Sequence, residues 1–210
     1  MPTLRLGILA SGNGSNLQAI LDAIGAGTLD AKVKIVIANV PGAKALERAA
    51  TAGVVTALMP HQKYPDRTSF DAALSQTLEA AGAEWVVLAG FMRVLSPGFI
   101  ARHHRRILNI HPALLPSFPG AHAQAQALAY GAKISGCTVH FVDESVDCGP
   151  IIAQRAVPVE TDDSVASLSA RILREEHQLY VQVLRWLAAD RVHWNSDSDS
   201  TRPKISIEPA

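Results

Sequence analysis

Leu108-Asn109-Ile110-His111-Pro112 holds the pair of side chains best suited to chemistry. Residues two apart in an extended chain project to the same face, so Asn109 and His111 point together while Ile110 turns to the core. Pro112 disfavours helical geometry at His111 and keeps it extended. An amide donor beside an imidazole suits acyl transfer. Both can bind the oxygen of a tetrahedral intermediate, and the imidazole can shuttle a proton. A carboxylate to orient that ring is supplied in principle by Asp147, in the turn Val146-Asp147-Cys148-Gly149-Pro150 before an apolar strand. A plainer reading stays open here: Asn109 and His111 are polar residues at a strand end, and Asp147 caps a turn. No nucleophilic serine or cysteine is called for, and Cys148 reads as a small filler. His140 could line such a site or be an ordinary strand residue, and the six remaining histidines lack metal-ligand spacing.

A second stretch, Ser11-Gly12-Asn13-Gly14-Ser15-Asn16, joins a strand to a helix N-terminus. Glycines let a ligand approach the backbone, and the unpaired amides of the first helical turn, aided by the helix dipole, suit one phosphate. Ser15 and Asn16 add side-chain donors. Leu17 stands where the dinucleotide fingerprint needs its third glycine, and no Gly-Lys-Ser/Thr follows for a nucleoside triphosphate. The alternative is a glycine-rich turn with Ser15 or Asn16 as an ordinary helix cap.

Elements that could position these residues follow from periodicity. Apolar runs at Leu4–Ala10, Lys32–Ala38, Val54–Leu58, Trp85–Ala89 and Ile107–Ile110 predict strands, with helices near 17–24, 43–52 and 66–81. Apolar strands separated by helices indicate a mostly parallel sheet covered on both faces, a Rossmann-like α/β fold. After a proline-rich loop and a short helix ending near Tyr130, two strands are expected at Gly136–Val142 and Ile151–Val159, then a helix over 164–189. The expected organisation is one domain over 1–194, its halves meeting near residue 105, followed by a flexible tail over 195–210.

Composition narrows the classes. The chain has 210 residues, 48% hydrophobic and 18% charged, enough for a sizeable core. Its 19 basic residues balance 19 acidic ones, so no global field favours nucleic acid. Two cysteines make neither a disulfide framework nor a zinc site. With no signal-peptide order and no apolar run long enough to span a bilayer, a soluble, cytoplasmic protein is expected.

Four motifs carry a resemblance: Ser11-Gly12-Asn13-Gly14-Ser15-Asn16-Leu17-Gln18, Leu88-Ala89-Gly90-Phe91-Met92-Arg93, Asn109-Ile110-His111-Pro112-Ala113-Leu114-Leu115-Pro116 and Asp147-Cys148-Gly149-Pro150. In this order, from about residue 5 to 190, the chain resembles the folate-dependent phosphoribosylglycinamide formyltransferase family. The resemblance implies transfer of a formyl group from 10-formyltetrahydrofolate, as cosubstrate and without a metal, to the amine of glycinamide ribonucleotide in purine synthesis. It implies catalytic roles for Asn109, His111 and Asp147, and ribonucleotide contacts at Gly14, Ser15, Asn16, Leu17 and Glu176. Folate contacts are implied at Arg67, Met92, Arg93, Val94, Leu95 and Asn109, and along Asp143, Glu144, Ser145, Val146 and Asp147. On pattern alone Met92 and Leu95 would read as core and Arg67 as a solvated helix charge. The run Ala121-His122-Ala123-Gln124-Ala125-Gln126 departs from members that carry more histidine and arginine there.

Glu176 is singled out by helix geometry as well. Val165, Leu168, Ile172, Leu179, Val183 and Leu187 share one helical face, and Glu176 falls within that arc. A carboxylate on a core-facing stripe calls for a partner, either a ligand or an arginine such as Arg171 or Arg174. The nearest rival function is a formyltetrahydrofolate hydrolase, which would add an N-terminal regulatory domain, not expected with a first strand at Leu4. A methionyl-tRNA formyltransferase would add a basic RNA-binding domain. A silent nucleotide-binding module would use the glycine turn but leave Asn109, His111 and Asp147 without a role. A monomer and a homodimer both fit the sequence.

Overall fold

The computed structural model describes residues 3–195 and 203–209. Seven strands, β1 (Leu4–Ala10), β2 (Ala31–Ala38), β3 (Thr56–Leu58), β4 (Trp85–Leu88), β5 (Ile107–His111), β6 (Ile134–Phe141) and β7 (Ile151–Pro158), form one sheet in the order β3-β2-β1-β4-β5-β6-β7. β1 pairs in parallel with β2 and β4, β2 with β3, and β4 with β5, whereas β6 and β7 are antiparallel. The helices are α1 (Ser15–Gly25), α2 (Lys44–Thr51), α3 (Arg67–Ala80), α4 (Pro97–Arg102), α5 (Ala123–Tyr130) and α6 (Val165–Ala188). The mostly parallel α/β fold is as the sequence predicts. Two compact units divide between Asn109 and Ile110, inside β5.

In the first unit β1 is buried on both faces from Leu6 to Ala10, which is why it lacks alternation. Asp66 caps α3 by accepting from Ser69 N at 2.7 Å. Ser96 with Pro97 starts α4, a helix too short for periodicity to reveal. Buried Asp71 accepts from Ser96 N at 2.5 Å and fastens the segment that precedes α4 to α3.

In the second unit α6 packs on β6 and β7, and Arg155 of β7 reaches Glu175, Gln178 and Gln182 along that helix. Ser164 and Ser167 close the α6 N-terminus as a capping box. The expectation for residues 195–210 needs revision. Lys204–Ile207 forms a strand, β9, antiparallel to β8 (Val192–Asn195), with Glu208 N donating to Arg191 O at 2.9 Å. Lys-Ile-Ser-Ile alternates as a half-buried strand does, but a polar serine-aspartate run before it masks the signal. Residues 196–202 and 210 lie outside the described residues.

Candidate active site

The glycine turn of the first unit is fixed by backbone geometry. Gly14 caps α1 in the left-handed region at φ 71°, and a Cβ there would lie 2.7 Å from Ala45 Cα. Only glycine meets both conditions. The N-cap of α1 is Gly14, so neither Ser15 nor Asn16 occupies the cap position that the plainer reading gave them. Asn16 and Leu17 are buried and Ser15 is half-buried. The first-turn amides of α1 keep their capacity to meet an anion.

The same turn is tied to the segment after β4. Ser11 N donates to Gly90 O at 2.9 Å, and Met92 N donates to Ser11 Oγ at 2.8 Å. Ser11 Oγ in turn donates to Asn39 Oδ1 at 2.6 Å, and Asn39 lies within 3.3 Å of His61 Nδ1. These bonds gather residues at the carboxyl ends of β1, β2 and β4, the end where open α/β sheets take ligands. Met92 is 76% exposed and is therefore not the core residue that pattern alone suggested. Val94 is exposed, Leu95 is buried, and Arg93 lies over the Phe70 ring at 5.3 Å. Arg67 is exposed at the start of α3.

Asn109, partly exposed, pairs in register with Leu88 and precedes His111 by two residues on β5. In the second unit His111 is buried. Its Nε2 lies 2.9 Å from Phe118 O. A carbonyl only accepts, so Nε2 carries the proton. Nδ1 faces Asp147 Oδ2 at 3.3 Å, so a second ring proton would point at a carboxylate. Asp147 sits in the left-handed region at φ 53° and also accepts from Gly120 N at 2.8 Å. Its other oxygen faces His140 Nε2 at 3.7 Å. The turn that delivers Asp147 depends on Gly149, where a Cβ would collide with the Phe141 carbonyl.

His140 is thereby brought to the site, and its chemistry differs from that of His111. Burial lowers its pKa from the ordinary value, opposed by its bond to the Phe141 carbonyl and by Asp147. Asp147 thus stands between two imidazoles, one carboxylate oxygen 3.3 Å from His111 Nδ1 and the other 3.7 Å from His140 Nε2. Thr138, on the same face of β6 as His140, fastens the loop after His111. Its Oγ1 accepts from Leu115 N at 3.0 Å and from Gln154 Nε2 at 2.9 Å, and donates to Ala113 O at 2.7 Å. Sequence reasoning missed this clamp, because a threonine and a glutamine within strands carry no distinguishing spacing.

Asp143 begins the loop and accepts from Ser145 N at 3.0 Å, Glu144 and Ser145 are exposed, and Val146 is half-exposed. Glu176 is buried at 6% exposure on α6, as helix geometry predicts. The Arg171 guanidinium binds Asp163 at 2.6 and 2.9 Å, so it is committed elsewhere. Glu176 and Glu175, after burial itself, push the Cys137 thiol up to about 12, so this cysteine is no nucleophile. Among the described residues no group of three or more His, Cys, Asp or Glu is arranged to hold a metal, and no helix is long and apolar enough to cross a membrane.

Comparison with known proteins adds a family. A family model described as Formyl transferase matches residues 4–184. Phosphoribosylglycinamide formyltransferase of Escherichia coli K12 is 41% identical over 191 residues, 91% of this chain and 90% of that protein. The human trifunctional purine biosynthetic protein adenosine-3 is 45% identical over 188 residues, 90% of this chain but 19% of that protein. A Drosophila melanogaster trifunctional relative is matched over 14% of its length, so the chain spans under a fifth of such proteins. The crystal structure of glycinamide ribonucleotide transformylase 1 from Symbiobacterium toebii superposes with a TM-score of 0.92 at 47% identity, covering 98% of this chain and 94% of that one.

Proposed function

The chain belongs to the formyl transferase family, and on that premise we propose that it carries the formyl group of 10-formyltetrahydrofolate to the amine of glycinamide ribonucleotide in purine synthesis. The names of the relatives that match nearly end to end support this acceptor, and none of them favours the hydrolase alternative. The observation that carries the reading is a buried imidazole with Asp147 on Nδ1 and a protonated Nε2, in a chain of this family.

In this reaction the uncharged amine attacks the formyl carbon, and the formyl oxygen becomes an oxyanion. Asn109, through its amide, and His111, through a ring N–H, donate to that oxygen. The formyl oxygen replaces the Phe118 carbonyl as the acceptor of His111 Nε2. Collapse re-forms the carbonyl and breaks the bond to N10, while the proton lost by the amine moves by way of His111 and Asp147 to N10. Donors of this kind are each worth about 10²–10³ in rate. Gly14, Ser15, Asn16 and Leu17 hold the ribonucleotide phosphate, and Glu176 holds the glycinamide end. Arg67, Met92, Arg93, Val94, Leu95 and the 143–147 loop hold the folate. The chemistry requires no metal, and a cytoplasmic location suits both small substrates.

The test is spectroscopic: tetrahydrofolate should form only when glycinamide ribonucleotide is added to enzyme and 10-formyltetrahydrofolate. Formation at the same rate without the amine would make the protein a hydrolase.

A further inference from the structure

Helix α2 takes hold of the glycine turn through two carbonyls. Ala45 N donates to Gly12 O at 3.1 Å, and Arg48 Nε donates to Asn13 O at 2.8 Å. In a trans peptide the N–H lies opposite the C=O. Fastening these two carbonyls towards α2 therefore turns the N–H groups of Asn13 and Gly14 away from it. Those amides precede the first-turn amides of α1, and successive N–H groups of this kind form an anion-binding concavity.

The Arg48 guanidinium is spent on this arrangement. Nη2 donates to Asn13 Oδ1 at 3.2 Å and Nη1 to Gln18 Oε1 at 3.2 Å. Gln18 is itself anchored on Asp22 at 2.8 Å. One planar fork thus holds the carbonyl and side chain of Asn13 and the first turn of α1 together. A lysine could supply the charge but not the fork. Nothing in the sequence marks Arg48, which reads there as one more charge on a short amphipathic helix.

We propose that Arg48 is a positioning residue of the ribonucleotide phosphate site, turning the Gly14 amide towards it, and that the site extends beyond Gly14 to the backbone amide of Asn13. The proposal rests on the reading that the glycine turn holds that phosphate. Arg48 acts by orienting the Asn13–Gly14 peptide plane, whose carbonyl it holds, while Ala45 N holds the Gly12 carbonyl, and its charge is secondary.

Arg48→Met and Arg48→Lys separate orientation from charge. Both should raise KM for glycinamide ribonucleotide by roughly tenfold or more, with kcat and KM for 10-formyltetrahydrofolate within about twofold of wild type. Both should weaken inorganic phosphate, measured as a competitive inhibitor against the ribonucleotide, by a similar factor. A merely structural role would instead lower kcat and the melting temperature without singling out one substrate. If Arg48→Lys restores the wild-type KM, charge and not positioning is at work and the proposal falls. It also falls if neither variant changes phosphate inhibition while Ser15→Ala with Asn16→Ala still raises the ribonucleotide KM. If that double variant leaves this KM unchanged too, the phosphate assignment itself has failed.

Discussion

The glycine turn of the first unit and the His111–Asp147 cluster of the second are made of different materials. The turn presents backbone amides on a left-handed Gly14 and the start of α1, whose N-cap is that glycine. The cluster is side chains throughout, with His111, Asp147 and His140 buried or nearly so within 3.7 Å contacts. Backbone donors do not titrate and cannot pass a proton, so they suit a group of fixed charge that only has to be held. A reaction that moves a proton needs titratable groups whose environments differ, and two histidines sharing one carboxylate provide that. Damage to the first region should therefore appear in binding, and damage to the second in turnover.

The sharpest break of this contrast comes from the cluster. His111→Ala, Asp147→Ala and Asn109→Ala should each lower kcat by about 10²–10³ while thermal melting stays cooperative. Losses below about tenfold would remove the assigned roles. Next, Glu176→Gln should lower kcat/KM for the ribonucleotide by about 1–3 kcal/mol, the range for a hydrogen bond to a charged group, without weakening folate binding. A shifted melting temperature with unchanged kcat/KM would make Glu176 a core residue only. For the turn, Ser15→Ala with Asn16→Ala should raise KM for the ribonucleotide about tenfold and spare the folate in calorimetry. Equal losses for both ligands would mean the turn has collapsed.

Smaller effects concern stability. Burial lowers the pKa of His140, His103 and His177 from the ordinary 6.5, so the folded state resists their protonation. Their contribution is present above that value and is lost as pH falls below it towards the lowered folded values. The melting temperature should accordingly drop below about pH 6.5, and His103→Gln should flatten part of that slope. A profile flat down to about pH 5 would contradict the burial argument. The smallest change is truncation after Asn195, which removes β9. Loss of its pairing with β8 should lower the melting temperature by about 2–4 °C, equivalent to ~1 kcal/mol, and leave kcat untouched.

How legible each region is in the sequence follows from the same contrast. Gly12 and Gly14 between an apolar run and a helical period disclose a turn, because backbone geometry is dictated locally. Asn109 and His111 are legible as a pair because strand alternation is local too. That Asp147 reaches His111, and His140 reaches Asp147, depends on the β6–β7 pairing and on Gly149 against Phe141, contacts that no short-range pattern encodes. The Thr138–Gln154 clamp and the Arg48 fork were invisible for the same reason. The strand β9 was hidden by the composition of the residues before it. Family resemblance assigned roles to Asp147 and Glu176, where spacing alone left alternatives.

Formyl transfer to the ribonucleotide amine through His111 is tested most directly by the fate of the formyl carbon. With 10-formyltetrahydrofolate labelled with carbon-13 at the formyl group, one equivalent of enzyme and glycinamide ribonucleotide, the label should appear on the glycinamide nitrogen. The His111→Ala enzyme should slow that transfer about 10²–10³-fold. Label recovered as formate, or transferred equally fast by His111→Ala, would contradict it.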